Sequence, residues 1–322
     1  MDTILHATPG NPVPDHHTAG FFDGERGVKI RYAIFRSAQS RPRGTVVLLQ
    51  GRNECIEKYY ETIRDLTAMG LWVATYDLRG QGGSGRMLKN TLLGHVRRFV
   101  DYERDLETFL EKVDLPDTRL PFFLLAHSTG ALIALSAAPR LANRIDRMAL
   151  CAPFVGLQGQ ALPPRVISSI STLASYTGLG GMRLGKDRSR GPFEGNRLSS
   201  DEFRYARNAK ILEEQPQLII GPPTARWFHE ARQTILRVMQ SAHLTRITVP
   251  TLIIAPVRDG IVPYADQENL SRHFRASQLV PVPGARHEVL QERDVFRAQA
   301  LAAIQVFFAG SDLPEELGAR AG

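Results

Sequence analysis

The stretch from Phe122 to Leu135 decides the fold and reads Phe-Phe-Leu-Leu-Ala-His-Ser-Thr-Gly-Ala-Leu-Ile-Ala-Leu. An apolar run typical of a strand buried on both faces leads through a small-x-Ser-x-Gly motif directly into a segment with helical periodicity. This unit predicts a sharp strand-to-helix turn with Ser128 at its apex. Helix and strand pass close together at such a turn, so Ala126 and Gly130 meet its need for small residues. A buried core serine is the alternative that five residues alone would not exclude.

The rest of the chain repeats this order of strand and helix. Continuous apolar runs predict buried strands at Thr45–Leu49, Trp72–Tyr76, Phe122–Leu125, Met148–Cys151, Leu252–Ala255 and Leu279–Val282. Helical periodicity follows at about 57–69, 97–113, 130–142, 225–241, 264–273 and 294–309. A hairpin over residues 18–36 precedes them. The alternation predicts an α/β fold with a mainly parallel central sheet and helices on both faces.

One interval interrupts the alternation and sets the expected domain organisation. Residues 154–222 separate two strands, and an unstructured loop of that length is improbable, so they predict a cap or lid inserted into the core. The core comprises residues 18–153 and 223–310. Residues 1–17, which are rich in proline, predict a flexible N-terminal arm, and residues 311–322 a C-terminal tail.

Composition excludes several classes of protein. Of 322 residues 43% are hydrophobic and 23% charged, which is ordinary for a globular chain. Cys55 and Cys151 are too few for a disulfide framework or a cysteine-rich zinc site. No run approaches the 18 apolar residues of a membrane span. The N-terminus lacks the basic start and apolar core of a secretory signal, so we expect a cytoplasmic protein.

The net charge of +7 is built almost wholly from arginine, which supplies 34 of the 40 basic residues. Genomic codon bias and a need for forked donors to phosphate or carboxylate are both open explanations. The arginines are scattered, with no compact basic run or aromatic-rich recognition motif, so we expect no nucleic-acid partner. The sequence indicates no oligomeric state.

A serine hydroxyl is a weak nucleophile until a base takes its proton, so Ser128 requires a histidine and an orienting carboxylate further along the chain. Asp259 follows the strand near Leu252–Ala255, and His287 follows the strand Leu279–Val282. The carboxyl ends of parallel strands meet at one edge of the sheet, so we expect Ser128, Asp259 and His287 to converge there. Five alternative acids and histidines do not directly follow a strand: Asp266, His95, His229, His243 and His273. His127 neighbours Ser128 and is expected to point away from the turn.

An oxyanion needs two backbone N–H donors, and the sequence predicts where they lie. The first is Thr129, at the start of the helix that follows the serine, where the helix dipole favours negative charge. The second normally comes from the loop after an earlier strand. Here that loop is Gln50-Gly-Arg-Asn-Glu, and we expect the Arg52 amide to serve, although a simple tight turn is the alternative.

Cofactor and metal sites are not predicted. The stretch Gly80-Gln-Gly-Gly-Ser-Gly fits a dinucleotide-binding pattern, but no helix opens after it and no acid ends the next strand. These glycines instead predict a tight loop that Asp77 and Arg79 could fix. No His-x-x-x-His or cysteine/histidine cluster occurs, so we expect no metal.

These motifs together resemble the α/β-hydrolases of the lysophospholipase L2, monoacylglycerol lipase and serine aminopeptidase S33 group, from about Gly20 to Phe308. The resemblance is carried by Gln50-Gly-Arg-Asn-Glu-Cys-Ile-Glu-Lys-Tyr-Tyr, Tyr76-Asp-Leu-Arg-Gly-Gln-Gly-Gly-Ser-Gly-Arg, Ala126-His-Ser-Thr-Gly, Arg258-Asp-Gly-Ile-Val and Pro283-Gly-Ala-Arg-His-Glu. It implies an α/β-hydrolase fold, a Ser128–Asp259–His287 triad, an insertion that serves as lid, and ester hydrolysis through an acyl-enzyme. It further suggests structural roles for Glu54, Asp77 and Arg79. Gln50 replaces the family's usual histidine before Gly51, and Ala126 replaces the first glycine of the serine motif.

The substrate class we expect is a mono-acyl lipid, with lysophospholipid ahead of monoacylglycerol. Within the insertion, apolar residues at helical spacing predict an acyl channel: Ile167, Ile170, Leu173 and Tyr176. Basic residues beside them suit a phosphate or transient contact with an anionic membrane surface: Arg183, Lys186, Arg188 and Arg190. Cap core and solvated charges are the competing interpretation. The same triad would also suit a small-ester carboxylesterase, a lactonase or an S33-type aminopeptidase, and the fold also occurs in ligand-binding homologues without turnover.

Overall fold

The computed structural model describes residues 4–158, 164–185 and 191–310, and these contain one eight-stranded sheet. Its strands are β1 (His17–Asp23), β2 (Lys29–Phe35), β3 (Thr45–Leu49), β4 (Trp72–Tyr76), β5 (Phe122–His127), β6 (Arg147–Cys151), β7 (Thr251–Pro256) and β8 (Ser277–Val282). They lie in the order β1-β2-β4-β3-β5-β6-β7-β8. β1 and β2 form the predicted hairpin, β2 pairs with β4 antiparallel, and all later neighbours are parallel. The mainly parallel sheet predicted from the sequence is therefore confirmed.

Helices cover both faces of the sheet. They are α1 (Tyr60–Ala68), α2 (Val100–Phe109), α3 (Leu115–Asp117), α4 (Thr129–Leu141), α5 (Pro164–Tyr176), α6 (Glu202–Glu214), α7 (Ala225–Val238), α8 (Ser241–Leu244), α9 (Tyr264–His273) and α10 (Asp294–Ala309). One apolar cluster joins a sheet face to α1 and α10, and the other joins the opposite face to α2, α4, α7 and α9.

Alternate residues of each central strand supply the two clusters, as a two-residue period requires. In β5, Leu124 and Ala126 belong to the cluster under α4, whereas Phe123 and Leu125 belong to the cluster under α10. All four side chains are buried. Because β5 is buried on both faces, it is held in register, and its carboxyl end places the following turn at a fixed position.

The insertion between β6 and β7 contains α5 and α6. Its orientation corrects one expectation: Leu173 and Tyr176 do not line an interior channel but are 67% and 76% exposed. The buried face of α5 carries small residues instead, including Ser171 and Ala174, because small side chains allow α5 to pack closely against α7. Lys186, Arg188 and Arg190 lie outside the described residues, as does the predicted tail.

The predicted flexible arm is packed against the core over its described part. Leu5 and Asn11 are buried, and the Asn11 side-chain amide donates to the Glu57 carbonyl oxygen at 2.9 Å. Arg31 also donates to the Ile4 carbonyl oxygen at 2.9 Å. The expectation of a loose arm was wrong for these residues, because composition does not reveal polar contacts with distant segments.

Candidate active site

Ser128 lies at the sharp turn between β5 and α4, in a backbone conformation that few side chains adopt. Its φ is 49° and its ψ is −112°. The turn is fixed from both sides, because the Ser128 N–H donates to the Cys151 carbonyl oxygen at 3.0 Å and the Ser128 carbonyl oxygen accepts from Leu132 at 3.1 Å. Gly130 is required: a Cβ there would lie 2.5 Å from the Gln50 carbonyl oxygen. The sequence expectation of a tight turn with a small residue after the serine therefore matches the geometry.

The three residues predicted to converge lie in one chain of contacts. His287 Nε2 is 2.9 Å from Ser128 Oγ, and His287 Nδ1 is 2.8 Å from Asp259 Oδ2. Each side chain follows the carboxyl end of a strand, β5, β7 or β8, and each is at most 7% exposed. A nucleophile, a base and an orienting carboxylate in hydrogen-bond contact can transfer a proton from the hydroxyl to the imidazole.

The Asp259 carboxylate is held in its ionised form. Burial would raise the pKa of Asp259, but the His287 imidazole and two backbone N–H groups outweigh it and place the pKa below its ordinary value. Those N–H groups belong to Ile261 and Val262, which donate to Asp259 Oδ1 at 2.7 and 2.9 Å. One carboxylate oxygen is thus occupied by the backbone, and the other faces His287 Nδ1.

Buried side chains fix the loop after β3 that carries the predicted oxyanion donor. The Gly51 N–H donates to Glu54 Oε2. Gln81 binds both ends of the same loop, with its amide nitrogen donating to the Gly51 carbonyl oxygen at 2.8 Å and its oxygen accepting from the Asn53 N–H at 3.2 Å. Gln81 belongs to the glycine-rich loop after β4, so that loop supports the site, a role that no sequence motif indicated.

The glycine-rich loop itself is a tight turn around a carboxylate. Gly80 and Gly82 have φ of 81° and 53°, and a Cβ on Gly82 would lie 2.3 Å from the Asp77 carboxyl group. Asp77 accepts from the Gly83 N–H at 2.6 Å and from the Ile56 N–H at 2.9 Å. The glycines therefore allow the chain to wrap closely around Asp77, which ties this loop to the segment after β3.

Arg52 and Thr129, the two predicted oxyanion donors, line the same cavity as Ser128. The Arg52 side chain extends away along the cavity wall. Its guanidinium lies 5.3 Å from the Trp227 ring centroid and donates to the Gly221 carbonyl oxygen. These contacts fix the side chain of the residue whose amide is the candidate donor.

A buried polar cluster beside His287 was not predicted as a unit. Lys58 Nζ lies 2.8 Å from a Glu54 oxygen and 2.6 Å from a Glu288 oxygen, and the Tyr59 hydroxyl donates to Glu54 at 2.6 Å. Burial would raise the pKa of Glu54, but Lys58 and His127 lower it well below its ordinary value. Burial would lower the pKa of His127, but the Glu54 carboxylate raises it. The sequence resemblance suggested a structural role for Glu54 alone and did not indicate its contacts with Lys58, Tyr59 and His127.

A cavity of about 710 Å³ opens beside Ser128 and His287, which both line it. One part of its wall is apolar and comes from the insertion and α7: Phe154, Leu157, Ile167, Ile170, Trp227 and Phe228. Another part is polar and includes the cluster: Glu54, Lys58, Tyr205, Asn208 and Glu288. Of the residues predicted to line an acyl channel, Ile167 and Ile170 line this cavity, whereas Leu173 and Tyr176 do not.

The alternative histidines bond elsewhere. His127 Nδ1 faces Glu54 and its Nε2 faces the His287 carbonyl oxygen at 3.3 Å. The remaining partners are the Thr224 hydroxyl for His95, the Thr172 hydroxyl for His229, the Leu135 carbonyl for His243 and the Asn269 carbonyl for His273. Within residues 4–158, 164–185 and 191–310 no group of metal-ligating side chains is found. Across those same ranges no helix has the length and apolarity to span a bilayer.

Comparison with known proteins decides the family. The sequence profile described as "Serine aminopeptidase, S33" matches residues 40–294. The chain belongs to the S33 family. Lysophospholipase L2 from Escherichia coli is 32% identical over 297 residues, covering 89% of this chain and 86% of that relative. Monoacylglycerol lipase from Mycolicibacterium smegmatis is 24% identical over 281 residues, covering 84% and 90%.

A solved structure shows the same fold. The structure of a soluble variant of monoglyceride lipase from Saccharomyces cerevisiae matches this S33-family chain with a TM-score of 0.74 at 19% identity. The match covers 96% of this chain and 98% of that one. The α/β-hydrolase fold implied by the sequence resemblance is therefore confirmed.

Proposed function

We propose that this S33-family protein is a serine hydrolase that cleaves carboxylic esters through an acyl-enzyme. The observation that carries the proposal is the Ser128–His287–Asp259 chain of contacts at 2.9 and 2.8 Å beside a cavity. His287 Nε2 takes the Ser128 proton as Oγ attacks the ester carbonyl carbon, and the charged imidazolium is stabilised by Asp259.

The tetrahedral intermediate carries a negative oxygen, for which the backbone amides of Thr129 and Arg52 are the proposed donors. When the intermediate collapses, His287 gives its proton to the leaving alcohol, and Ser128 keeps the acyl group. A water molecule then loses a proton to His287 and attacks the acyl-enzyme, and the acid leaves as the proton returns to Ser128. No group beyond these side chains and water enters the scheme.

The substrate class we favour is a mono-acyl lipid, lysophospholipid before monoacylglycerol. The cavity supports this choice because it combines an apolar wall from Ile167, Ile170 and Phe228 with a polar wall that contains Lys58 and Glu288. A single acyl chain and a polar head group need such a division. The names of the relatives from Escherichia coli and Mycolicibacterium smegmatis agree with it.

Hydrolysis assays with matched substrates test the proposal. Wild-type protein is expected to hydrolyse lysophosphatidylcholine and monoacylglycerol faster than p-nitrophenyl acetate, a lactone or an amino-acid anilide. Ser128→Ala is expected to lose turnover by about 10⁶-fold, because the nucleophile is removed. A fluorophosphonate probe should label the wild-type protein and not the variant. Wild-type protein that neither labels nor hydrolyses any ester would instead be a ligand-binding homologue.

We also propose that residues 154–222 act as a cap and that α5 makes transient contact with a membrane surface. Support comes from exposed apolar side chains on α5 that do not line the cavity: Val166, Leu173 and Tyr176. The helix contains no acidic residue, and Arg183, which follows it, is exposed. Apolar side chains on a surface element without acidic residues suit an anionic lipid interface.

Flotation with vesicles tests this contact. Leu173→Ser with Tyr176→Ser should reduce the bound fraction on vesicles that contain phosphatidylglycerol, whereas Val306→Ser should not. Val306 is the matched control because it is 73% exposed and lies on α10, outside the insertion. Equal binding by both variants would contradict the contact.

The cytoplasmic location of the protein stays a prediction, which fractionation of cells would test.

A further inference from the structure

The loop that carries His287 is bonded to the insertion on both sides of the histidine. The Glu288 N–H donates to the Leu198 carbonyl oxygen at 2.8 Å. The Arg286 guanidinium donates to the carbonyl oxygens of Asn196 and Ser199, both at 3.0 Å. Residues 196–200, called the bracket below, therefore hold the two neighbours of the candidate base.

A fully buried carboxylate closes the same loop from the other side. Glu292 Oε1 accepts from the Arg286 N–H at 2.8 Å, and Glu292 Oε2 accepts from the Arg293 N–H at 3.0 Å. The Ser200 hydroxyl, which belongs to the bracket, donates to Glu292 as well. Bonds from backbone N–H groups to a buried carboxylate are charge-assisted, so they define the loop more strongly than neutral bonds would.

Helix α6 fixes the bracket to the core. Arg204 donates to the Glu292 carbonyl oxygen at 2.9 Å and to both carboxylate oxygens of Glu61 on α1, at 2.9 and 2.6 Å. Arg207 donates to the Gln291 side chain at 3.0 Å. Helix α5 differs: its described residues make none of the hydrogen bonds to residues 286–292.

We propose that the bracket and Glu292 position His287, so that residues 196–200 act as positioning residues for the candidate base rather than as part of a detachable lid. The inference rests on the proposed hydrolase function. Proton transfer between Ser128 Oγ and His287 Nε2 depends on their 2.9 Å contact. A displacement of about 1 Å in such a contact can cost about 10²-fold in rate. The hydrogen bonds that Arg286 and Glu288 make to the bracket oppose such a displacement of His287.

Variants of Arg286 and Glu292 test the inference with p-nitrophenyl acetate, a substrate too small to report on the cavity. Active sites are titrated with a fluorophosphonate, and kcat is expressed per titrated site. Glu292→Gln replaces an acceptor oxygen by a donor, so we expect kcat to fall 10- to 100-fold with KM within twofold. Glu213→Gln is the matched control because that side chain is 67% exposed on α6, and it should leave kcat unchanged.

Rescue by a conservative change separates positioning from folding. Arg286→Ala should lower kcat per site, and Arg286→Lys should regain most of it, because an ammonium can still donate to the two bracket carbonyl oxygens. If Glu292→Gln does not fold, Ser200→Ala removes a single bond to the same carboxylate and should lower kcat by a smaller factor.

The outcomes are distinct from those for the proposed function. A wild-type protein without turnover overturns the function itself. A wild-type protein with turnover, whose Glu292→Gln, Arg286→Ala and Ser200→Ala variants lose thermal stability but keep kcat per site, overturns the positioning role alone.

Discussion

Substitution of Gly130 by alanine is expected to distort both the turn at Ser128 and the loop after β3, which carries the proposed Arg52 donor. A Cβ at this position would lie 2.5 Å from the Gln50 carbonyl oxygen and 2.7 Å from that of Leu49. Both are backbone atoms at the end of β3, so no flexible side chain can move aside. Relief requires a displacement of roughly 0.7–0.9 Å between α4 and the loop that begins at Gln50.

Two opposing contributions set the magnitude. Alanine is favoured over glycine in a helix by about 0.5–1 kcal/mol. Overpacking of a well-packed site costs typically about 1–3 kcal/mol, so a net loss of about 1–2 kcal/mol in the free energy of unfolding is expected. The displacement also separates Ser128 from the candidate Arg52 donor, for which a loss near 10²-fold in kcat is expected.

The assay combines thermal unfolding with the second-order rate of fluorophosphonate labelling. Gly181→Ala is the control, because the atom nearest to its Cβ would be Leu88 Cδ1 at 4.0 Å. It should label at the wild-type rate and keep its stability. If Gly130→Ala also labels at that rate and melts no lower than the control, the close approach of α4 to β3 is not what defines the site.

Two further predictions concern the carboxylates of Asp259 and Glu61. Asp259→Asn should lower kcat by about 10³- to 10⁴-fold in steady-state assays, because the amide no longer stabilises the imidazolium of His287; an unchanged kcat would remove Asp259 from the triad. Glu61→Gln tests the anchor of α6: burial would raise the pKa of Glu61, but hydrogen bonds from Arg204 and Arg207 lower it from 4.5 to about 2. A carboxylate with a lowered pKa stabilises the fold above its unfolded pKa and loses that effect as pH falls through the folded value. Relative to wild type, Glu61→Gln should therefore lower the free energy of unfolding measured in urea by about 1–2 kcal/mol near pH 6, allowing for solvent screening. The difference should disappear as the pH approaches 2. A difference that does not depend on pH would contradict this assignment.

Strands buried on both faces were predictable nearly to the residue. β3 and β4 begin and end where the apolar runs do, because their apolar residues contribute alternately to the two apolar clusters. The start of β8 was harder to predict from the sequence. It is an edge strand that begins at Ser277, two residues before the predicted start, and its first residues are polar because water reaches one side.

The positions of the three candidate site residues were predictable for a related reason. Each of Ser128, Asp259 and His287 follows a strand, and parallel strands end at one edge of the sheet. The contacts around them were not predictable. Lys58 and Glu288 are 230 residues apart in sequence, and no local pattern indicates that they form an ion pair. For α5, periodicity indicates which residues share a face, but not whether that face lies toward the cavity or toward solvent.

The sequence resemblance implies a histidine at position 50 and a glycine at position 126, and the structure shows the surroundings of Gln50 and Ala126. The side-chain amide nitrogen of Gln50 donates to Asp77 Oδ1 at 3.2 Å. Asp77 also accepts from the Ile56 and Gly83 N–H groups, so the Gln50 side chain joins the loop after β3 to the same carboxylate that fixes the glycine-rich loop. Ala126 is fully buried in the cluster under α4. Gln50 and Ala126 therefore lie beside the loop after β3 and the turn at Ser128, and neither side chain takes part in the proposed proton transfer.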